Sequence, residues 1–204
     1  MIVYLHGFNS SPESHKAEVL RRYLAAQGGG EGLRVPALSH WPREAIAQAG
    51  AIIESGLAGQ RPAPSPGRVC LVGSSLGGYY ATWLAERYDL PAVLINPTVR
   101  PFALLADYLG PQRNPYTGEA YELTAGHISQ LRALYVESLS EPSRFRVLLQ
   151  TGDEVLDYRQ ALDYYGAAQC RVTPGGDHAY QGFDARVEEL LHFCAEYSLS
   201  PRRV

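Results

Sequence analysis

Short runs of consecutive apolar residues recur along this chain, separated by stretches in which apolar residues have helical spacing. A continuous apolar run is typical of a strand that is buried on both faces. The pattern predicts strands over residues 1–5, 33–38, 68–72, 92–95, 145–150 and 169–173. It predicts one helix starting at Pro12, with Ser11 as N-cap, and others over residues 45–57, 79–87, 157–167 and 183–197. This alternation favours an α/β fold with about six mostly parallel strands and helices on both faces.

Two stretches depart from this alternation. Residues 61–67 are rich in Pro and Ser and indicate a surface loop. Residues 98–141 contain two proline breaks, a Tyr-containing polar turn and short helical pieces. Because this second stretch follows the carboxyl end of a strand, we interpret it as a small, helical, cap-like insertion in a single domain spanning residues 1–204.

Composition narrows the function classes. The chain has 204 residues, is 46% hydrophobic and 19% charged, and carries a formal net charge of −3, so neither nucleic acid nor an anionic membrane is an expected partner. No signal peptide or apolar run of transmembrane length is evident, and we expect a cytoplasmic protein. The cysteines at 70, 170 and 194 lack metal-like spacing. We interpret Cys70 and Cys170 as small core residues in a reducing compartment.

The segment Gly73-Ser74-Ser75-Leu76-Gly77-Gly78 lies between an apolar run and a helical pattern. Strand, G-x-S-x-G and helix in this order are typical of a nucleophile elbow, which places Ser75 in a strained turn with its hydroxyl exposed. Ser74 does not fit, since the residues two positions on either side of it are Val72 and Leu76. Neither a P-loop nor a G-x-G-x-x-G motif is present. A glycine-rich turn without chemistry is the alternative.

Other polar residues follow predicted strands, at the edge where parallel sheets bind ligands. They are His6, Asn96, Asp153 and His178. A serine nucleophile needs a base and an acid that orients the base, and the order Ser, Asp, His is typical of α/β-hydrolases. We therefore predict Ser75 as nucleophile, His178 as base and Asp153 as acid. Other carboxylates nearby are Glu154, Asp157 and Asp177, and His6 is interpreted as a structural brace.

An ester's tetrahedral intermediate also needs donors for its oxyanion. We predict the main-chain N–H groups of Phe8 and Leu76 for this role. Apolar side chains of the insertion are candidates for the substrate pocket, namely Phe102, Leu105, Tyr108 and Tyr116.

Several segments together resemble the YqiA-type esterases, small bacterial α/β-hydrolases once catalogued as an uncharacterised family. The similar segments are LHGFNSSP (5–12), GSSLGGYYATWLAE (73–86), NPTVRPF (96–102), NPYTGE (114–119), TGDEVLDYRQA (151–161) and GGDHAYQGF (175–183). The resemblance implies hydrolysis of a carboxylic ester or an acyl thioester by Ser75, Asp153 and His178. It also implies a reduced hydrolase fold, in which the first two strands of the full fold are missing.

These observations predict a serine esterase that acts on a small-molecule acyl ester through an acyl-enzyme intermediate, without metal or organic cofactor. An acyl-CoA thioesterase would use the same residues. An inactive hydrolase fold that serves as a binding module is the alternative from another class, although the presence of Ser75, Asp153 and His178 argues against it.

Overall fold

A six-stranded parallel sheet forms the centre of the molecule in the computed structural model, which describes residues 1–58 and 69–199. Its strands are β1 (Ile2–Leu5), β2 (Leu33–Arg34), β3 (Cys70–Ser74), β4 (Ala92–Ile95), β7 (Phe145–Gln150) and β8 (Gln169–Thr173). Their order in the sheet is β2-β1-β3-β4-β7-β8. The predicted sheet is thus confirmed, although the strand predicted over residues 33–38 is only two residues long. The loop predicted over residues 61–67 lies outside the described residues.

Helices cover both faces of the sheet because successive strand residues point to opposite sides. One core contains Leu71 and Leu94, and the other contains Val72 and Val93. The helices are α1 (His15–Ala26), α2 (Pro42–Ala58), α3 (Leu76–Tyr88), α4 (Pro101–Leu104), α5 (Ala125–Ala133), α6 (Tyr158–Tyr165) and α7 (Val187–Leu199). Buried residues of α2, α3, α5 and α6 belong to the first core, and those of α1 and α7 to the second.

The first helix begins later than the sequence predicts. Ser11 does not cap it; its hydroxyl accepts a hydrogen bond from the Glu13 N–H at 3.1 Å and closes a local turn. Ser14 is the N-cap, and α1 starts at His15. The short polar turn satisfies its own main-chain groups, which is why Pro12 does not open the helix.

The segment between β4 and β7 contains an antiparallel hairpin that the sequence pattern did not predict. Its strands are β5 (Gly110–Arg113) and β6 (Ala120–Leu123), and they pair in register from Gly110 with Leu123 to Arg113 with Ala120. Asn114 stabilises the connecting turn by accepting hydrogen bonds from the N–H groups of Tyr116 and Thr117. The hairpin strands lack an apolar run because much of their surface is exposed.

The cysteine prediction requires correction. Cys70 is buried in β3 as expected, but it forms a disulfide with Cys194 of α7 and is not a thiol. A sequence separation of 124 residues gave no local sign of this pairing, which depends on α7 packing against the sheet. Cys170 is a free, half-buried cysteine, and burial raises the pKa of its thiol.

Within residues 1–58 and 69–199, none of the helices has both the length and the apolar character that a membrane span requires.

Candidate active site

Ser75 occupies the sharp turn between β3 and α3. Its φ of 55° and ψ of −121° lie in a region that side-chain-bearing residues seldom adopt, at a typical cost of about 1–3 kcal/mol. The main chain holds this conformation, because Ser75 N–H donates to the Ile95 carbonyl and Ser75 carbonyl accepts from the Thr98 N–H. The strained turn predicted from G-x-S-x-G is present, and Ser75 is half-buried at its apex.

Glycine is required on both sides of this turn. A Cβ on Gly73 would collide with the carbonyl of Gly77, and a Cβ on Gly77 would collide with the carbonyl of Leu5. Both obstacles are main-chain atoms that cannot move without displacing β1 or α3. The two glycines therefore allow α3 to start directly above the end of the sheet.

A chain of hydrogen bonds runs from Ser75 through His178 to Asp153. The Ser75 hydroxyl lies 3.0 Å from His178 Nε2, and His178 Nδ1 lies 2.9 Å and 3.0 Å from the two Asp153 carboxylate oxygens. The Asp153 side chain is 2% exposed and that of His178 is 22% exposed. The three residues that sequence order selected are thus brought together by the ends of β3, β7 and β8.

Asp153 is fixed independently of the imidazole. Its Oδ1 accepts the main-chain N–H groups of Val155 and Leu156 at 2.9 Å and 2.8 Å. The nearby Glu154 has another role, since its Oε2 accepts the His178 main-chain N–H at 2.9 Å. Asp177 also meets a different group, because its Oδ2 accepts from the Gln181 side-chain amide at 3.0 Å.

Asn96, whose position after β4 was noted but whose role was not predicted, braces the loop that carries His178. Its side-chain amide donates to the carbonyls of Asp177 and His178 at 3.0 Å and 3.3 Å, and its Oδ1 accepts the Gln150 N–H at 3.0 Å. Asn96 also has a φ of 39°, which asparagine tolerates better than most residues. An asparagine at a strand end was the only sequence signal for this brace.

Asn96→Asp should test whether the hydrogen bonds from the Asn96 amide to the His178 loop matter for activity. Aspartate keeps an acceptor for the Gln150 N–H but loses the donors to the two loop carbonyls, and it places a carboxylate beside them. We expect kcat/KM for a nitrophenyl ester to fall at least about tenfold, corresponding to the loss of one to two hydrogen bonds. Thermal melting should be measured alongside. Unchanged kcat/KM with a lower melting temperature would mean that Asn96 contributes to stability and does not position His178.

The loop after β1 lies directly against Ser75. A Cβ on Gly7 would be 3.3 Å from the Ser75 Cβ, so the next residue, Phe8, is close to the nucleophile. Leu76 is the first residue of α3, and its N–H therefore has no acceptor within the helix. The two main-chain donors predicted for an oxyanion thus belong to segments that adjoin the Ser75 hydroxyl.

His6 braces this loop, in agreement with its sequence interpretation. Its Nε2 accepts the Leu38 N–H at 3.2 Å, which leaves Nδ1 to donate to the Gly7 carbonyl at 3.1 Å. Burial lowers the pKa of His6 and favours the neutral ring that this arrangement needs.

A cleft of about 330 Å³ contains Ser75 and His178. Of the four predicted pocket residues, Tyr116 lines this cleft. Tyr108 is 53% exposed, and Leu105 is buried in the core. Phe102 packs edge-on against Tyr135 and lies under the Arg132 guanidinium. Residues that line the cleft but were not predicted include Ser14, His15 and Lys16.

A larger cavity of about 610 Å³ lies between α4 and the start of α6. Its wall includes Thr98, whose N–H donates to the Ser75 carbonyl, and Leu156, whose N–H donates to Asp153. The cavity therefore adjoins the site on the side of the acid. Among the described residues, no group of three or more His, Cys, Asp or Glu side chains is arranged to hold a metal ion.

Comparison with solved structures identifies the fold. A protein of Agrobacterium vitis S4, provisionally described as a hydrolase, is 20% identical with a TM-score of 0.71, covering 95% of this chain and 87% of its own. The esterase domain of a Rhodothermus marinus protein is 18% identical with a TM-score of 0.65 and coverages of 97% and 87%. Mouse alpha/beta hydrolase domain-containing protein 10 is 16% identical with a TM-score of 0.65 and coverages of 94% and 89%. These similarities show an α/β-hydrolase fold.

Family membership rests on the sequence itself. The model of the uncharacterised protein family UPF0227, the YqiA family, matches residues 1–195. The match covers all of the segments on which the predicted resemblance depended. The chain therefore belongs to the UPF0227 family.

Proposed function

We propose that this protein is a serine hydrolase that cleaves carboxylic esters through Ser75, His178 and Asp153. The observation that supports this most strongly is the continuous set of hydrogen bonds from the Ser75 hydroxyl through the imidazole to a buried carboxylate. A structural hydrogen-bond network would not need the nucleophile in a strained turn at the wall of an open cleft. Esterases among the structural neighbours are consistent with this chemistry.

In the proposed acylation step, Ser75 Oγ attacks the ester carbonyl carbon while His178 Nε2 takes the hydroxyl proton. Asp153 holds the proton on Nδ1, which leaves the Nε2 lone pair directed at Ser75, and it stabilises the imidazolium that forms. His178 then gives its proton to the leaving alcohol oxygen as the carbonyl–alcohol bond breaks. Water deacylates Ser75 by the same proton transfers in reverse order.

The negative charge that develops on the carbonyl oxygen would be stabilised by the main-chain N–H groups of Phe8 and Leu76. Both belong to segments whose positions are fixed, one by the His6 brace and the other by the start of α3. Donors that do not need to reorganise are the most effective in stabilising such charge.

Residues 98–141 would act as a cap on one side of the cleft. The hairpin is tied to the loop that carries Phe8 by three hydrogen bonds. The Asn114 side chain donates to the Ser10 carbonyl at 2.9 Å, the Tyr121 hydroxyl donates to Asn9 Oδ1 at 2.8 Å, and the Asn9 side-chain amide donates to Gln112 Oε1 at 3.4 Å. Tyr116, at the tip of the hairpin, contributes its exposed ring to the cleft wall.

A fluorophosphonate probe tests the proposal, because it reacts with an activated serine. We expect stoichiometric labelling of the folded protein at Ser75, identified by peptide mass spectrometry, and no labelling after thermal unfolding. Turnover of nitrophenyl esters and of matched acyl thioesters by the same sample then decides between ester and thioester preference. Folded protein that neither labels nor turns over an ester would favour a binding module.

A further inference from the structure

The amino end of α1 forms the wall of the Ser75 cleft next to the His178 loop. Ser14, the N-cap of this helix, and the first two helical residues, His15 and Lys16, line the same cleft as Ser75 and His178. None of these three residues participates in the proposed proton transfers, so their presence at the cleft wall needs a separate explanation.

The first turn of α1 has free main-chain donors. The Ser14 side chain makes no capping hydrogen bond, and the first bond within the helix runs from the Glu18 N–H to the Ser14 carbonyl. The N–H groups of His15, Lys16 and Ala17 therefore have no acceptor within the helix. Together with the helix dipole they favour an anion at this end.

The Ser14 hydroxyl provides a second, independent sign of a ligand. Ser14 is 8% exposed, and its Oγ is buried without a hydrogen-bond partner among the described residues. The Tyr4 hydroxyl lies nearby, but the geometry between the two groups completes no hydrogen bond. Buried hydroxyls are normally paired, so this one is available to donate to a ligand oxygen.

Lys16 adds a positive charge to the same place. It is the only lysine in the chain and the only Lys or Arg side chain among the described residues that line this cleft. Its ammonium donates to the Ala179 carbonyl at 2.8 Å, which leaves further N–H groups for another acceptor. Three carboxylates share its surroundings. Asp153 is bonded to His178 and Glu154 to the His178 N–H, while Asp177 is bonded to Gln181 through Oδ2 only and its buried Oδ1 has no hydrogen-bond partner among the described residues.

The position of Lys16 indicates which part of the substrate it would meet. His178 must hand its proton to the leaving oxygen, so the leaving group lies on the His178 side of the scissile bond. Lys16 holds the carbonyl of Ala179, the residue after His178. It therefore lies on the side of the alcohol and not on that of the acyl chain.

We propose that Lys16, Ser14 and the first turn of α1 form an anion subsite that selects esters whose leaving alcohol carries a carboxylate or a phosphate. This inference rests on the proposed function of Ser75, His178 and Asp153. It specifies the substrate class that the sequence left open, because a neutral alkyl alcohol would make no use of the remaining Lys16 donors or of the free N–H groups at the start of α1.

The charge of Lys16 gives the subsite a pH signature. Burial lowers the pKa of Lys16 to about 8, while the carboxylates of Asp177 and Asp153 oppose this shift. Glu154, His15 and His178 also line the cleft around it. Because the pKa is lowered, the ammonium is present below about pH 8 and is lost as the pH rises above it. Preference for the anionic alcohol should decline over the same range.

The test compares 4-acetoxybenzoate with methyl 4-acetoxybenzoate, which differ in the charge on the leaving phenol. Lys16→Met should lower kcat/KM for 4-acetoxybenzoate by at least about tenfold more than for the methyl ester, the effect of one charge-assisted hydrogen bond. Ser14→Ala should act in the same direction. Lys16→Arg should retain most of the preference and keep it between pH 7 and 9.5, where the wild-type preference declines.

Controls separate recognition from bracing. Arg22 is an exposed cation on the same helix, and Arg22→Met should leave kcat/KM unchanged for both 4-acetoxybenzoate and its methyl ester. Mono-4-nitrophenyl succinate, which carries its charge on the acyl side, should show no preference that depends on Lys16. The phosphate analogue 4-acetoxyphenyl phosphate decides between carboxylate and phosphate. The preferred anion is the one whose substrate loses more kcat/KM in Lys16→Met.

Two results would overturn the subsite. Equal losses for the charged and neutral acetates in Lys16→Met would make Lys16 a brace of the His178 loop only. Wild-type protein that cleaves the methyl ester but discriminates against 4-acetoxybenzoate would exclude an anionic leaving group. Failure of the proposed function is distinct from both, because the wild type would then cleave neither acetate and Ser75 would not react with the fluorophosphonate.

Discussion

Ser75→Ala should abolish ester turnover while leaving the fold intact, with kcat reduced by about a millionfold if hydrolysis follows the proposed route. Alanine lacks the oxygen that attacks the ester, and no other described group occupies the position 3.0 Å from His178 Nε2. The strained backbone at this position accommodates alanine as well as serine, since both residues carry a Cβ. Initial rates with a nitrophenyl ester and a thermal melt of both proteins would measure the effect.

Ser74→Ala is the matched control. Ser74 is the last residue of β3 and is 5% exposed, with its hydroxyl close to that of Tyr4 and not bonded to His178. This variant also loses a serine hydroxyl, but one that is not the proposed nucleophile, and it should retain substantial activity. An inactive Ser74→Ala protein beside an active Ser75→Ala protein would show that the nucleophile had been assigned to the wrong serine.

Asp153→Asn should lower kcat by about three to four orders of magnitude, as the same change does in another serine hydrolase. The structure gives a specific reason. The Oδ1 atom is held by the N–H groups of Val155 and Leu156, so an asparagine would keep its carbonyl there and turn its NH₂ toward His178 Nδ1. Two donors would then face each other, which favours the tautomer with the proton on Nε2. That imidazole cannot accept the Ser75 proton.

Two neighbouring carboxylates provide controls for this prediction. Glu154→Gln keeps an oxygen that can accept the His178 N–H, and Asp177→Asn keeps one that can accept from Gln181. Both variants should lose far less activity than Asp153→Asn when acylation is measured in single turnover at one pH. A severe defect in Asp177→Asn with nearly normal Asp153→Asn would move the acid to the His178 loop.

Local sequence was sufficient for the sheet and for the elbow. Apolar runs fix which segments are buried strands, and the glycines at 73 and 77 are needed at the two places where main chains approach too closely for a Cβ. Ser75, Asp153 and His178 each follow a strand, and the carboxyl ends of parallel strands lie at one edge of the sheet. The sequence therefore predicted that these three residues lie close together. These features depend on neighbours in sequence or on a rule of topology.

Other features depend on residues distant in sequence, and sequence alone could not supply them. The Cys70–Cys194 disulfide forms only because α7 packs on the face of the sheet that carries Cys70. Asn96 becomes a brace because the His178 loop returns above β4. Neither the spacing nor the character of the surrounding residues marks such contacts in advance.

The sequence by itself determined the six strands of the parallel sheet, the strained Ser75 and the polar residues at strand ends, because each follows from local sterics or from burial. Only the tertiary structure decided which side chains share the cleft. It brought Lys16 and Ser14 next to His178, although 160 or more residues separate them along the chain. It also placed Phe102 and Leu105 in the packing of the core and not in the cleft. The reason is physical: a side chain's partners are set by how helices pack on the sheet, and that packing is a property of the whole chain.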